Sequence, residues 1–147
     1  MTTPIPSLFH LPSVAYNFIY RVPRTANQWQ LWYFASRDAD VARALSRHFF
    51  WTENILWKEE LDGRSVGIAL SGVDQIVDAE EVRGYLTGID MEEMTGSGED
   101  GEEICRQWEK DGLEVLFYPR LDHAMVFDTL ERRKPILDIV HRFVRLE

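Results

Sequence analysis

A match to the pattern Gly-x-Ser-x-Gly, GRSVG at residues 63–67, is the first candidate for chemistry in this sequence. In that pattern the central serine acts as a nucleophile when a strand ends at it and a helix begins just after it, because the sharp turn exposes the hydroxyl. The order is inverted here, since polar residues 58–63 precede Ser65 and the apolar run 66–70 follows it. We therefore expect Ser65 to begin a strand and not to act as a nucleophile.

Asp74 and His123 have positions better suited to chemistry. Asp74 follows the apolar run 66–70 in a turn, and His123 follows a second β-branched and apolar run at 113–118. Functional groups gather at the carboxyl ends of parallel strands, and Asp78 already suits the cap of the next helix, so a cap does not account for Asp74. A carboxylate beside a histidine orients the imidazole and stabilises its protonated form. The sequence thus predicts an acid–base pair of Asp74 and His123.

The cysteine and the other histidines show no spacing typical of a site. Cys105 has helical neighbours in EEICRQWEK and is interpreted as a small buried residue, not as a nucleophile. His10, His48 and His141 show no metal-ligand spacing to one another, to the cysteine or to an acidic cluster. The acidic loop at 99–103 is interpreted as solvated. We therefore predict no metal site and no cofactor.

The elements that must position the pair fall into two halves of different character. Residues 1–60 are rich in aromatics, and the spacing of their apolar residues predicts a helix near 25–35 and an amphipathic helix capped by Ser36 or Asp38. The second half has the order strand, helix, strand, helix, which predicts parallel strands with crossover helices. We expect the α/β class, with a helical segment followed by two parallel strands and flanking helices.

The helices of the second half have clear end signals. Asp78 and Glu81 form a capping-box pattern and Gly88 suits a C-terminal stop, which predicts a helix at 79–87. Pro135 is tolerated in a first turn, so we expect the last helix to begin there. One face of that helix is apolar and should pack on the sheet. This face comprises Ile136, Ile139, Val140, Phe143 and Val144.

The composition limits the classes of protein to which the chain can belong. With 45% hydrophobic and 12% aromatic residues, residues 1–147 are expected to fold as a single domain. The net charge of −9 would repel nucleic acid and an anionic membrane surface, so neither is expected as a partner. The single cysteine excludes an internal disulfide, and residues 1–18 lack the features of a signal peptide or membrane span. We expect a soluble, cytoplasmic protein.

Three stretches resemble the C-terminal part of the α/β-hydrolase superfamily, in particular its large fungal members. IALSGVDQIVDAEEVRGYL (68–86) and LEVLFYPRLDHAMVFD (113–128) are similar to the last two core strands of that family. Residues 9–57 are similar to the helical lid inserted before those strands. The resemblance implies a partial α/β-hydrolase-like fold, with a helical lid-like segment at 1–60 and the C-terminal βαβα segment of the core at 61–147.

The resemblance also implies that Asp74 is the acid and His123 the histidine of a catalytic triad. In that family the serine lies upstream of the lid, and its elbow is not among these residues. An Asp–His pair moves protons but forms no acyl-enzyme by itself. We therefore expect part of a split or truncated ester or amide hydrolase, or a non-hydrolytic acid–base enzyme such as an isomerase, cyclase or lyase, or a non-catalytic binding or assembly module.

A partner is expected for the strand at 66–70, because without the neighbouring strand of the family it would present an apolar edge. A second copy of the chain, a complementary hydrolase fragment, or the helical first half would cover that edge. With five tryptophans and eight phenylalanines available for an interface, we expect a homo-oligomer, most simply a dimer. The aromatic residues of the lid-like segment favour an apolar small molecule as substrate or ligand.

Overall fold

The structure, a computed structural model, describes residues 4–97, 105–123 and 125–146. It is a mixed α/β protein, with short helices in the first half of the chain and a four-stranded sheet with helices in the second. The expected class is confirmed at this level. Contacts divide the described residues into two compact units, a helical unit and a sheet unit.

The helical unit comprises Ile5–Leu56 and the short segment Gln75–Val77. Its described residues contain no strand, as expected for this half of the chain. Its helical segments are a 3₁₀-helix at Ile5–Leu8, α1 (Pro12–Ala15) continuing as a π-helix at Tyr16–Tyr20, α2 (Ala26–Leu31) continuing as a π-helix at Trp32–Ser36, α3 (Ala39–Arg47) and α4 (Trp51–Asn54).

Helices α2 and α3 occupy the regions in which the sequence predicts helices. The hydroxyl of Thr25 accepts a hydrogen bond from the Gln28 amide at 3.3 Å and caps α2. The carboxylate of Asp38 accepts from the amides of Asp40 and Val41 at 3.0 and 2.9 Å and caps α3. Both caps satisfy amides that lack a partner within the helix. Of the two caps expected for α3, Asp38 is therefore the one used.

The sheet unit comprises Trp57–Asp74 and Asp78–Glu147 and includes Pro4. Its strands are β1 (Val66–Ser71), β2 (Thr95–Ser97), β3 (Cys105–Lys110) and β4 (Leu113–Tyr118), in the order β1-β4-β3-β2. β1 and β4 are parallel neighbours, which confirms the predicted parallel pair. The antiparallel strands β2 and β3 are additional to it.

Strand β3 corrects the interpretation of the residues around Cys105 as helical. β3 and β4 form an antiparallel hairpin whose two-residue loop is Asp111-Gly112. Both loop residues have positive φ, 53° and 85°, as the tight turns of two-residue hairpins require, and Asp-Gly is a favoured pair there. This turn and the pairing with β4 outweigh the helical spacing of apolar residues in β3. The sulfur-bearing side chain of Cys105 is nevertheless buried, as expected.

Helix α5 (Ala79–Thr87) has both predicted ends. The carboxylate of Asp78 accepts from the amides of Glu80 and Glu81 at 3.0 and 3.1 Å. Gly88 ends the helix with a φ of 70°, a left-handed conformation that glycine adopts at little cost. The helix begins directly after the segment Gln75–Val77, so its cap also fixes where the turn after β1 must finish.

Helix α6 (Leu130–Leu146) begins five residues before the predicted start at Pro135, which lies inside the helix. The prediction was wrong because Thr129 supplies an earlier start signal: its hydroxyl accepts from the Arg132 amide at 3.3 Å. Of the predicted apolar face, Ile136, Ile139 and Phe143 pack against the core, whereas Val140 and Val144 are exposed.

The core of the sheet unit is centred on β4, all six residues of which are buried. α5 and α6 both pack against β1 and β4. Ala69 of β1, Leu116 of β4 and Ile139 of α6 belong to one buried cluster. Gly67 permits the close approach of α6, since a Cβ at that position would lie 2.9 Å from Ile139. These contacts hold β1 and β4 as the rigid support of the loops that follow them.

Candidate functional site

The carboxyl ends of β1 and β4 lie side by side and lead to the two candidate residues. Ser71, the last residue of β1, is in register with Tyr118, the last residue of β4. Asp74 follows β1 by three residues, and His123 follows β4 by five. The parallel pairing therefore brings both loops to one edge of the sheet.

Two backbone hydrogen bonds join these loops beyond the ends of the strands. The amide of Gly72 donates to the Tyr118 carbonyl at 2.8 Å, and the amide of Val73 donates to the Leu121 carbonyl at 3.1 Å. Gly72 is the residue that makes this approach possible, because a Cβ there would lie 2.7 Å from the carbonyl oxygen of Pro119. Such a distance between a Cβ and backbone is sterically forbidden. Backbone hydrogen bonds thus hold the two loops side by side in one layer.

This layer brings the predicted pair together. Nδ1 of His123 lies 2.7 Å from Oδ2 of Asp74, a short hydrogen bond in which the ring N–H donates to the carboxylate. The Asp74 side chain is 0% exposed and the His123 side chain is 29% exposed. The carboxylate therefore lies beneath the histidine, while the ring reaches the surface.

The hydrogen bond to Asp74 raises the pKa of His123 above its ordinary value of 6.5. The negative charges of Asp74 and Asp122 act in the same direction, and burial of the ring opposes them. Asp122 also accepts a hydrogen bond from the His123 amide at 2.7 Å. The carboxylate that orients the ring therefore also stabilises the imidazolium.

The second ring nitrogen of His123 is available for chemistry. With Nδ1 donating to Asp74, the neutral ring has its lone pair on Nε2. Within 4–97, 105–123 and 125–146, no group forms a hydrogen bond with Nε2. This nitrogen can therefore accept a proton as a general base and return it as a general acid.

Ser65 lies at the opposite end of β1 from the pair. β1 begins at Val66, directly after Ser65, as the sequence predicts. The six residues of β1 separate Ser65 from the loop of Asp74, a span of roughly 20 Å. No helix begins after Ser65 to supply amides to an oxyanion. The GRSVG match is therefore not a nucleophile elbow.

Two further groups in the sheet unit are occupied elsewhere. Cys105 is fully buried in the core. The hydroxyl of Tyr118 donates to the Arg132 carbonyl at 2.9 Å, and burial raises the pKa of Tyr118. Both side chains thus serve the packing between the sheet and α6.

A buried charged cluster was not singled out from the sequence. Glu114 of β4 is 2% exposed and pairs with Arg142 of α6 and with Gln107 of β3, whose Nε2 lies 3.3 Å away. Burial raises the pKa of Glu114, and the positive charge of Arg142 opposes the shift. A charged residue within the apolar run LEVLFY was the available signal. Because the cluster connects α6 to the sheet, we interpret it as structural.

The described residues contain no group of three or more His, Cys, Asp or Glu side chains arranged to hold a metal ion. No helix in the described ranges is long and apolar enough to cross a membrane. Comparisons with protein-family models, with curated proteins and with solved structures find no significant match. A functional assignment therefore depends on the chemistry of the Asp74–His123 pair.

Proposed function

We propose that the Asp74–His123 pair is the acid–base part of an ester or amide hydrolase of the α/β-hydrolase type. The observation that supports this most directly is the 2.7 Å hydrogen bond between a partly exposed histidine and a buried carboxylate on adjacent parallel-strand loops. In a catalytic triad this arrangement fixes the histidine tautomer and stabilises the imidazolium. The nucleophilic hydroxyl would come from a segment or chain outside the described residues.

In the proposed reaction the hydroxyl proton passes to Nε2 of His123 while the hydroxyl oxygen attacks the carbonyl carbon of the substrate. The imidazolium, stabilised by Asp74, then returns the proton to the leaving alkoxide or amine as the C–O or C–N bond breaks. Water repeats both steps on the acyl-enzyme, which releases the carboxylic acid and regenerates the hydroxyl. General acid–base catalysis of this kind contributes about 10²–10⁴-fold in rate.

The edge of the sheet at β1 supports a partner that completes the site. Among the described strands, β1 is the outermost on its side of the sheet. Its six residues include no charged side chain that would discourage pairing. A groove of about 670 Å³ runs beside it, lined in part by Ile68, Ile139 and Val140. We propose that a second copy of the chain or a complementary hydrolase fragment pairs here, and that a cytoplasmic dimer or two-part assembly is the active form.

A second candidate is direct acid–base catalysis without a covalent intermediate. The observation in its favour is that Nε2 of His123 forms no hydrogen bond with a hydroxyl, thiol or amine of the described residues. A substrate C–H or O–H could then meet Nε2 itself, as in an isomerisation, a cyclisation or an elimination on an apolar small molecule. This candidate needs no partner nucleophile, which separates it experimentally from the first.

The test of the first candidate is hydrolysis of p-nitrophenyl decanoate, an activated ester that water can attack when a general base assists. We expect the wild-type chain to accelerate release of p-nitrophenol, and Asp74→Asn and His123→Ala each to lower that acceleration by at least about 100-fold. His141→Ala removes an exposed histidine on α6 and is the matched control. The rate should rise with pH as His123 loses its proton.

An acceleration over the spontaneous reaction that is the same in wild type and His123→Ala would contradict the first candidate. Ester hydrolysis absent from the wild type, with the Asp74–His123 hydrogen bond still visible as a downfield Nδ1 proton by NMR, would favour the second candidate. Ester hydrolysis by the wild-type chain therefore distinguishes the two candidate functions.

A further inference from the structure

The helical unit contains an apolar cavity that the proposed reaction does not use. Its volume is about 410 Å³, within the range of about 300–1,000 Å³ typical of small-molecule sites. Every residue that lines it is apolar, including Phe9, Phe18, Val41, Leu45 and Ile76. No lining side chain is charged, and the indole N–H of Trp51 is the one side-chain hydrogen-bond donor in the wall, so the cavity favours a hydrocarbon occupant.

The cavity walls come from separate parts of the helical unit. Val41 and Leu45 lie one turn apart on α3 and form one wall. Val14 on α1 and Ile76 are the most enclosed lining residues, at 6% and 3% exposure. Nδ2 of Asn17 donates to the Ile76 carbonyl at 3.0 Å and holds that wall in place. The site is thus formed before any ligand arrives.

We infer that this cavity binds the aliphatic chain of a small molecule, about ten carbons in length or longer. An apolar cavity of about 150 Å³ binds benzene, and this cavity has almost three times that volume. A charged group placed inside would lose its hydration without a side chain of opposite charge to replace it. If the proposed hydrolase function holds, this cavity makes esters or amides of fatty acids the substrate class; that part of the inference rests on the proposed function.

The chain itself connects the cavity to the candidate acid. Ile76, in the cavity wall, comes two residues after Asp74, and Asp78 caps α5 two residues later. Binding is measurable without turnover, so it is a separate property of the protein.

The test is binding of 10-bromodecanoic acid, measured by quenching of tryptophan fluorescence, because bromine quenches tryptophan at short range and Trp51 lines the cavity. We expect saturable quenching of the wild-type chain, of which Trp51→Phe removes at least half. The methyl ester of the same acid should bind with an affinity within about three-fold, because no lining side chain carries a positive charge that would favour the carboxylate.

Variants that add rings inside the cavity, compared with a variant that adds a ring outside it, show where the ligand binds. The double variant Ala15→Phe with Val41→Phe adds two rings to the wall and should weaken binding at least ten-fold. Ala44→Phe adds a ring at an exposed position of the same helix as Val41 and should leave the affinity unchanged. Circular dichroism establishes that each variant is folded.

Thermal unfolding gives a second readout, since a ligand that binds only the folded chain raises the unfolding temperature. Absence of both saturable quenching and a thermal shift in the wild type would overturn the inference, and so would full affinity in the folded double variant. Binding without ester hydrolysis would remove the proposed function and leave this site standing. Hydrolysis without binding in the cavity would do the reverse.

Discussion

The two ends of β1 are alike in backbone geometry and differ in chemistry. At the carboxyl end, a Cβ on Gly72 would lie 2.7 Å from the Pro119 carbonyl oxygen. At the amino end, Gly112 of the β3–β4 loop lies against the residues that precede β1, and a Cβ on it would lie 2.9 Å from the Arg64 carbonyl oxygen. Both ends are close backbone crossings that glycine makes possible. Only the carboxyl end adds a hydrogen-bonded pair of titratable side chains.

This difference shows that strand direction, more than a local motif, determines where a hydrogen-bonded acid and histidine come together. The amino end of β1 has the serine pattern GRSVG, but the chain there leads into a strand and not into a helix. The carboxyl end has no recognised short motif, yet two parallel strands deliver Asp74 and His123 to the same place. A motif without its strand-to-helix context is therefore weaker evidence than two polar residues at successive strand ends.

The largest effect is expected from adding a methyl group at either crossing. Gly72→Ala and Gly112→Ala should each lower the free energy of unfolding by about 2–4 kcal/mol, because the new Cβ meets backbone that cannot move aside cheaply, and Gly112 also has a positive φ of 85°. Only Gly72→Ala should also disturb the Asp74–His123 hydrogen bond. Chemical denaturation measures the stability, and the NMR signal of the His123 ring reports the pair.

Gly84→Ala is the matched control for these two substitutions. Gly84 lies within α5 and a Cβ there meets nothing within 4 Å, so alanine should raise stability by about 0.5–1 kcal/mol. An unchanged His123 signal in Gly72→Ala, or an equal disturbance in Gly112→Ala, would contradict the distinction between the two ends of β1.

A smaller effect is expected from Asp74→Asn, which removes the charge at the carboxyl end and keeps the shape of the side chain. The pKa of His123 should fall, because the carboxylate hydrogen bond is the largest cause of its elevation. A titration of the ring protons by NMR in wild type, Asp74→Asn and the control His141→Ala measures this directly. A His123 pKa that is equal in the first two proteins would show that Asp74 is not its partner in solution.

The same substitution should change the dependence of stability on pH. The folded-state pKa of His123 is raised above the value near 6.5 of an unfolded chain. Its contribution to stability is therefore fully present below about pH 6.5 and is lost as the pH rises through the folded-state pKa. The difference in unfolding free energy between wild type and Asp74→Asn should shrink over that interval, and a difference that grows with pH would contradict this sign.

The parts of the fold that the sequence predicted correctly are those fixed by local chemistry. Asp78 and Gly88 bound α5 as predicted, because a cap and a left-handed stop act over a few residues. The pairing of Asp74 with His123 followed from one further step, the parallel alignment of two apolar runs. Caps and strand ends are therefore strong enough to predict a candidate site from one sequence.

The parts that were missed depend on competition between neighbouring signals or on distant contacts. The apolar spacing around Cys105 favours a helix, but the Asp111-Gly112 turn and the pairing with β4 make these residues a strand. The ion pair of Glu114 with Arg142 joins residues 28 positions apart. The cavity of the helical unit likewise needs walls from Val14, Leu45 and Ile76 together. Contacts of this range have no signature in a single sequence window.

The smallest effect, no change at all, is expected from Ser65→Ala at the amino end of β1. Ser65 is exposed and precedes the strand, so its hydroxyl lies roughly 20 Å of strand away from the loop of Asp74 and cannot transfer a proton to His123. A fluorophosphonate probe, which reacts with activated serines, should give no adduct by intact mass on wild type or Ser65→Ala, and their rates of ester hydrolysis should agree within about two-fold. An adduct on wild type that disappears in Ser65→Ala would mean that the amino end of β1 is the reactive one, and the comparison of the two ends would have to be reversed.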